Sequence, residues 1–265
     1  MMRILALDID DTLVDTGKQI SPRTERAIRA AAAQGILVVL ATGRGFRGSR
    51  MIREQLGLQG PIINYGGAMV MDAATGTCLM AQYLQPDDVR SAFAAADRYG
   101  LHVQAYDGDT VLFRSENEFT ARYTGALHLR YTVDPKLLER PLDRVPKVLM
   151  YVDPADEVVM AKRLANMLPD SLHVLCSKPG FLEIGCKTAT KGRALQWIAQ
   201  RFDVAQADVV AIGDNTLDLD MIQWAGEGCC VANGNEQVKK AADRILPSCA
   251  DEGVAVYLEE TLGLV

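Results

Sequence analysis

Arg3-Ile4-Leu5-Ala6-Leu7-Asp8-Ile9-Asp10-Asp11-Thr12-Leu13 is the stretch that decides the fold. Residues 4–9 form a short apolar run without polar alternation, as expected of a strand buried on both faces of a parallel sheet. The run ends in carboxylates. Asp8 and Asp10 stand two residues apart, and side chains at i and i+2 of a strand point to the same side. In open parallel sheets ligands gather at the carboxyl ends of the strands. A strand closing on paired acids therefore reads either as one wall of a site or as a strand end that shows its charge to solvent.

Working outward, the first quarter alternates strand and helix. Ser21-Pro22 supplies an N-cap and a proline at the first helical position. An alanine-rich helix follows to Gln34, and Gly35 closes it. Residues 36–41 read as a second buried strand, 46–56 as a helix and 61–64 as a third strand. The tail resumes the rhythm, with helices at 191–201 and 217–225, strands at 209–212 and 229–232, then a short helix near 237–242 and a strand at 244–246. This β-α-β repetition predicts an α/β fold, a Rossmann-like doubly wound parallel sheet.

The middle has another texture. A helix opening at Gln85-Pro86-Asp87 runs to Tyr99. Strand-like pieces follow at 102–106, 111–114, 127–133, 147–152, 172–176 and 181–184, with a helix near 156–168 among them. Several of these strands carry polar residues at alternate positions, which suggests an α+β unit with one sheet face open to solvent or to a neighbour. The expected organisation is a core from 1–82 and 187–265, split by an inserted α+β cap at 83–186.

Composition sets outer limits. The chain has 265 residues, about half of them apolar, and a net charge of −6. No basic stripe is present, so no nucleic-acid partner is expected. The longest apolar stretch, 35–41, cannot span a bilayer, and the apolar run near the N-terminus is too short for a signal peptide, so the expectation is a cytoplasmic protein with no membrane partner. Cys78, Cys176, Cys186, Cys229, Cys230 and Cys249 show no C-x-x-C spacing and read as buried reduced thiols. Oligomeric state is not legible.

The chemistry lies in four places. Asp214 follows the strand at 209–212, and Asp218 starts the next helix. If those strands neighbour the first, three or four carboxylates converge, and such a cluster needs a proton or a cation. No histidine or cysteine is close in sequence, so the donors are hard oxygens, which select Mg²⁺ over zinc. Asp214 and Asp218 also admit a reading as first-turn helix caps. Thr42-Gly43-Arg44 follows the second strand, where a hydroxyl and backbone N–H groups can hold a phosphate; Arg44 either positions substrate or solvates the loop. Lys191 begins a helix behind Thr190, a poor place for a cation against the helix dipole unless it pairs with an anion. Asn233 either reaches the site or serves a turn.

Two decoys are set aside. Gly43-Arg-Gly45-Phe-Arg-Gly48 matches G-x-G-x-x-G, yet no acid ends the next strand, as dinucleotide binding requires. Between Gly180 and Gly185-Cys186-Lys187-Thr188 the register of a phosphate-binding loop is broken by the cysteine.

Asp8-Ile-Asp10-Asp11-Thr12-Leu13, Thr42-Gly43-Arg44, Lys191-Gly192 and Gly213-Asp214-Asn215-Thr216-Leu217-Asp218 stand in the order of the four motifs of the haloacid dehalogenase superfamily. The insertion between the second and third motifs resembles that of the Cof-like branch, subclass IIB. Residues 61–70, 182–184 and 231–235 agree with it. The resemblance implies a Mg²⁺-dependent phosphatase of small phosphorylated metabolites: sugar phosphates, nucleotides or phosphorylated cofactors. It implies Asp8 as nucleophile, Asp10 as general acid and base, and Thr42, Gly43 and Lys191 as phosphate contacts. Metal ligands would come from Asp8, the Asp10 carbonyl and Asp214, supported by Asp218. The chain departs from the pattern at Leu217, where the family has Asn; Asn215 stands two residues earlier as alternative support. Gly66 also replaces an Asn. Tyr106, Asp107 and Arg114 are the cap residues expected to meet substrate. A phosphomutase sharing these aspartates and a non-catalytic phospho-ligand sensor are the rival readings.

Overall fold

β1 (Ile4–Leu7) lies at the centre of an eight-stranded sheet in the computed structural model, which describes residues 2–14, 19–108, 110–125 and 129–264. Across the sheet the order is β14 (Arg244–Leu246), β13 (Glu227–Val231), β12 (Val209–Gly213), β1, β2 (Leu37–Ala41), β3 (Pro61–Asn64), β4 (Met69–Asp72) and β5 (Cys78–Ala81). From β14 to β3 neighbours run parallel, and β4 turns back antiparallel on β3. The chain leaves β1 toward β2 on one side and returns to it through β12 on the other. The order therefore reverses beside β1, which makes the carboxyl ends of β1 and β12 the switch point of the sheet.

Burial on both faces explains the unbroken apolar run. Leu5 and Leu7 pack with residues of α1 (Pro22–Ala33), α2 (Arg50–Leu56) and α9 (Gly253–Leu262). Ile4 and Ala6 point the other way, to α6 (Lys191–Arg201), α7 (Leu219–Trp224) and α8 (Glu236–Ala241). Helix α1 begins as its sequence dictates: the Ser21 hydroxyl accepts from the Thr24 N–H at 3.1 Å, with Pro22 opening the helix.

The chain divides into two compact units, Met1–Met80 with Thr190–Val265, and Ala81–Ala189. The second contains β6 (His102–Asp107), β7 (Thr110–Phe113), β8 (Tyr131–Val133), β9 (Val148–Tyr151), β10 (Leu172–Lys178) and β11 (Phe181–Cys186) in the order β10-β11-β9-β6-β7-β8. Pairing is antiparallel except between β7 and β8. Val103, Ala105, Val148 and Met150 pack on α3 (Pro86–Tyr99) and α5 (Glu157–Ala165). Alternate residues Gln104, Tyr106 and Tyr151 face away from those helices and are nonetheless buried, joined by hydrogen bonds of 2.7–2.8 Å. Phe119 of α4 (Glu118–Gly125) stacks on Tyr151 there.

Several expectations need correction. The helix expected at 46–56 starts only at Arg50, because residues 46–49 spend their acceptors on side chains: Ser49 Oγ donates to the Phe46 carbonyl and Arg44 Nη1 to that of Gly48. Strands β4 and β5 and helices α4 and α9 were not foreseen. Of the strand expected at 127–133, Leu127 and His128 lie outside the described residues and β8 begins at Tyr131. Cys229 and Cys230 are buried free thiols, but Cys78 and Cys176 are exposed, so the buried reading holds for only part of the set. Among the described residues no helix is long and apolar enough to cross a membrane.

Because Leu5 is fully buried at the centre of the sheet, Leu5→Ala is expected to cost about 2–5 kcal/mol in urea unfolding. Met51→Ala, at a side chain left largely exposed, should stay within about 0.5 kcal/mol of wild type.

Candidate active site

Asp8 is the first residue beyond β1, and its N–H donates to the Ile212 carbonyl at 3.0 Å. The pairing thereby carries β1 and β12 to their common end, where Asp214 follows β12. Lys191 opens α6 behind its N-cap Thr190, whose hydroxyl accepts from the Arg193 N–H at 3.3 Å. The Lys191 ammonium donates to Asp8 Oδ1 at 2.5 Å and also to Asp218 Oδ1. Carboxylate oxygens of Asp8, Asp214 and Asp218 lie within 4.8 Å of one another, and all three residues are buried.

Electrostatics decides what this cluster wants. Like charges at that spacing repel by roughly 3.5 kcal/mol per pair at an effective dielectric of about 20. Three carboxylates against one ammonium leave two negative charges uncompensated. Burial, then the neighbouring Asp218 carboxylate, pushes the Asp214 carboxyl up to about 7, against the pull of the Thr12 hydroxyl and Lys191. Burial and Asp218 likewise raise Asp8 well above the ordinary carboxylate range. Burial opposes the Lys191 charge, but Asp218 and Asp8 outweigh it and the ammonium is held firmly. Asp8 Oδ2 is buried without a hydrogen-bond partner. A small divalent cation with a preference for oxygen fits this set: it matches the excess charge and gives that oxygen a partner.

Each carboxylate is held by its surroundings. Thr12 Oγ1 donates to Asp214 Oδ1 at 3.0 Å. Asp218 Oδ2 accepts from the N–H groups of Asp214 and Asn215, both at 3.0 Å. Asn215 caps the same turn, its Oδ1 accepting from the Leu217 N–H at 2.9 Å. Asp218 is thus both cap and cluster member, so the two sequence readings of it are compatible. Asn233 Nδ2 donates to the Asp11 carbonyl at 2.7 Å, tying the end of β13 to the loop after β1.

The second motif is close by register. Leu7 pairs with Leu40, which sets Asp8 opposite Ala41 and beside Thr42. Thr42 is buried, and its Oγ1 accepts from the Arg44 N–H at 3.1 Å. The Asp10 carboxylate is not part of the trio. It takes a two-pronged bond from Arg44, Nε to Oδ2 at 2.9 Å and Nη2 to Oδ1 at 2.8 Å. A Cβ added at Gly43 would meet the Leu217 side chain at 3.8 Å, an ordinary van der Waals contact.

Within the inserted unit the three cap residues each have partners of their own. Tyr106 Oη is 2.7 Å from Tyr123 Oη, on the sheet face away from α3. Arg114 pairs with Asp97 of α3 at 2.9 Å, and Asp107 with Arg144 at 3.0 Å. Sequence reasoning missed Thr12 and Asp220. Asp220 Oδ2 accepts from the Gly192 N–H at 2.9 Å, pinning α7 to the first turn of α6. A Cβ on Gly192 would come within 2.7 Å of that oxygen, so the contact needs glycine. The D-x-D spacing of Asp218 and Asp220 was visible, but its meaning depends on α6 lying alongside α7.

A doubly wound sheet with an acid trio and a buried lysine at its switch point defines a class of hydrolytic core. The chain belongs to the haloacid dehalogenase-like hydrolase family, which it matches over residues 5–258. It is 30% identical over 274 residues to the putative phosphatase YxeH of Bacillus subtilis, with 98% of each chain covered. To the 5-amino-6-(5-phospho-D-ribitylamino)uracil phosphatase YitU of the same organism it is 30% identical over 267 residues, again covering 98% of each. A solved haloacid dehalogenase-like hydrolase from Bacteroides thetaiotaomicron superposes with a TM-score of 0.89 at 26% identity, covering 98% of this chain and 100% of the other.

Two outcomes follow from the site. Between the ordinary aspartate pKa of about 3.9 and the raised value of Asp214, the folded chain binds more protons than the unfolded one. Metal-free protein should therefore lose thermal stability as pH rises from about 4 through about 7. A divalent cation taken up by the trio should, at about a hundred times its Kd, add about 2.7 kcal/mol, most visibly above that range. Separately, Gly192→Ala should lower kcat by roughly tenfold or more in a steady-state assay, since displacing the first turn of α6 displaces Lys191.

Proposed function

We propose that this chain is a Mg²⁺-dependent phosphatase that hydrolyses small phosphate monoesters through an aspartyl-phosphate on Asp8. Sugar phosphates, nucleotides and phosphorylated cofactors are the substrate classes in view; YitU is named for a phosphorylated ribitylamino-uracil, a small phosphate monoester. The observation that carries the proposal is the Lys191 ammonium shared between Asp8 and Asp218 beside an Asp8 oxygen with no hydrogen-bond partner. A carboxylate to attack phosphorus, an ammonium to meet the phosphoryl oxygens and an acidic cluster able to hold a divalent cation are the parts that phosphoryl transfer needs.

Asp8 attacks phosphorus as the bond to the leaving-group oxygen breaks, and Asp10 gives that oxygen a proton. In the second step Asp10 takes a proton from water. The water oxygen bonds to phosphorus, phosphate departs and the Asp8 carboxylate is restored. Lys191 meets the charge on the phosphoryl oxygens, and the Thr42 hydroxyl and the loop at Gly43 orient them. Asp8 and Asp214, with the Asp10 carbonyl, would hold Mg²⁺, and Asp218 would brace them through its bonds to the Asp214 and Asn215 N–H groups. When bound, the cation neutralises the carboxylate excess and withdraws charge from the phosphoryl group. The inserted unit is the cap, expected to test the leaving group.

The test is phosphate release over a panel of small esters with and without Mg²⁺. Wild type should turn over only with the metal, and Asp8→Asn should lose roughly a thousandfold or more. Return of the phosphoryl group to a sugar instead of water would favour a mutase. Tight binding without turnover would favour a sensor.

A further inference from the structure

Arg44 is tied down more thoroughly than a residue waiting for substrate needs to be. Its Nη1 donates to the Gly48 carbonyl at 3.1 Å. Its backbone N–H donates to Thr42 Oγ1 at 3.1 Å, and its carbonyl accepts from Asn64 Nδ2 at 3.1 Å and from the Tyr65 N–H at 3.0 Å. Asn64 is fully buried and also donates to the buried Ser49 hydroxyl at 3.3 Å. From that fixed base the guanidinium presents Nε and Nη2 to the two oxygens of Asp10 at 2.9 and 2.8 Å. A planar fork on a planar carboxylate fixes both the position and the plane of the acid, which a single bond from an ammonium does not. The Asp10 side chain is otherwise the more exposed partner, 29% against 12% for Arg44.

We propose that Arg44 is a positioning residue: it sets the Asp10 carboxylate for proton transfer and couples it to the phosphate loop through Thr42. The inference rests on the phosphatase reading of this site and deepens it. Arg44 then acts through Asp10 and not on the phosphoryl group. Two signatures follow. An ester with a poor leaving group needs the proton from Asp10 and suffers when Arg44 is lost. An ester with an activated leaving group needs it little and suffers little. A residue acting only through Asp10 also adds nothing to a variant that already lacks the acid.

The experiment compares wild type, Arg44→Gln, Arg44→Lys, Asp10→Asn and the Arg44→Gln/Asp10→Asn double variant in the full chain with Mg²⁺. kcat/KM is measured on an alkyl phosphate and on p-nitrophenyl phosphate, with the inhibition constant of inorganic phosphate and circular dichroism alongside. Arg44→Gln is expected to lose roughly tenfold or more on the alkyl ester and under about threefold on the nitrophenyl ester. The phosphate inhibition constant should stay within about threefold of wild type, and the double variant should match Asp10→Asn. Arg44→Lys, charged but without the fork, should fall between wild type and Arg44→Gln, and it serves as the test if Arg44→Gln fails to fold. Equal losses on both esters, weaker phosphate inhibition or multiplying losses in the double variant would each overturn the proposal. A wild type inactive on every ester, or an Asp8→Asn variant with full activity, would instead bring down the phosphatase reading beneath it.

Discussion

One ammonium holds the centre of this molecule together. Lys191 is almost completely buried, and its charge is divided between Asp8, from the first strand, and Asp218, from the turn after β12. Removing such a group from water is costly, and a lysine so placed persists only with anions around it. The arrangement over-supplies those anions, because Asp214 joins them. The resting cluster is therefore short of positive charge, an imbalance that a small divalent cation would offset. Asp10 is kept out of that account by its own partner, Arg44. The two ion pairs separate Asp8, which faces the cluster, from Asp10, which is held by Arg44.

The position of that ammonium is set by packing around the first turn of α6. Asp220 holds the Gly192 N–H from one side. Gly67, with φ of 109°, lies so near the Thr190 carbonyl that a Cβ would be 2.1 Å from it. The turn after β3 thus fits against the residue that caps the lysine helix. These contacts come from backbone close approach, which leaves little slack at the one side chain whose misplacement would unbalance the cluster.

Much of this was legible from residue pattern, and what was not has physical causes. The doubly wound core could be read because residues 4–9 and 36–41 lack polar alternation, which a strand covered by helices on both faces requires. Asp8, Asp214 and Lys191 could be named because they stand in an ordered set of motifs, with the lysine set against the dipole at a helix start; the strand-end carboxylates taken alone were equally readable as solvent-exposed. The late start of α2 could not be read, since it depends on the Arg44 side chain reaching the Gly48 carbonyl. Asp220 could not be assigned without knowing that α7 lies on α6. Tyr106 and Arg114 could not be placed either: Tyr106 faces away from α3 in β6, whereas Arg114 lies just past the end of β7 and pairs with Asp97 of α3. Strand β5 carries partly exposed apolar residues at a sheet edge, where burial imposes no clear period.

The division of the chain also has a consequence in time. Ala81–Ala189 is one continuous stretch whose sheet is built largely from neighbouring segments, such as β6 with β7 and β10 with β11. The central pairing of the other unit joins Ile4 to Val209. A ribosome adding residues at about 5–20 per second delivers the whole insertion before β12 exists. For several seconds the amino-terminal strands wait without their partner while the insertion can already fold. Asp8 spends that interval beside water, and the acids of the later motif meet it only when Lys191 has already been made. The counter-charge precedes the second half of the repulsion, so the nascent chain never has to gather the full acidic cluster bare.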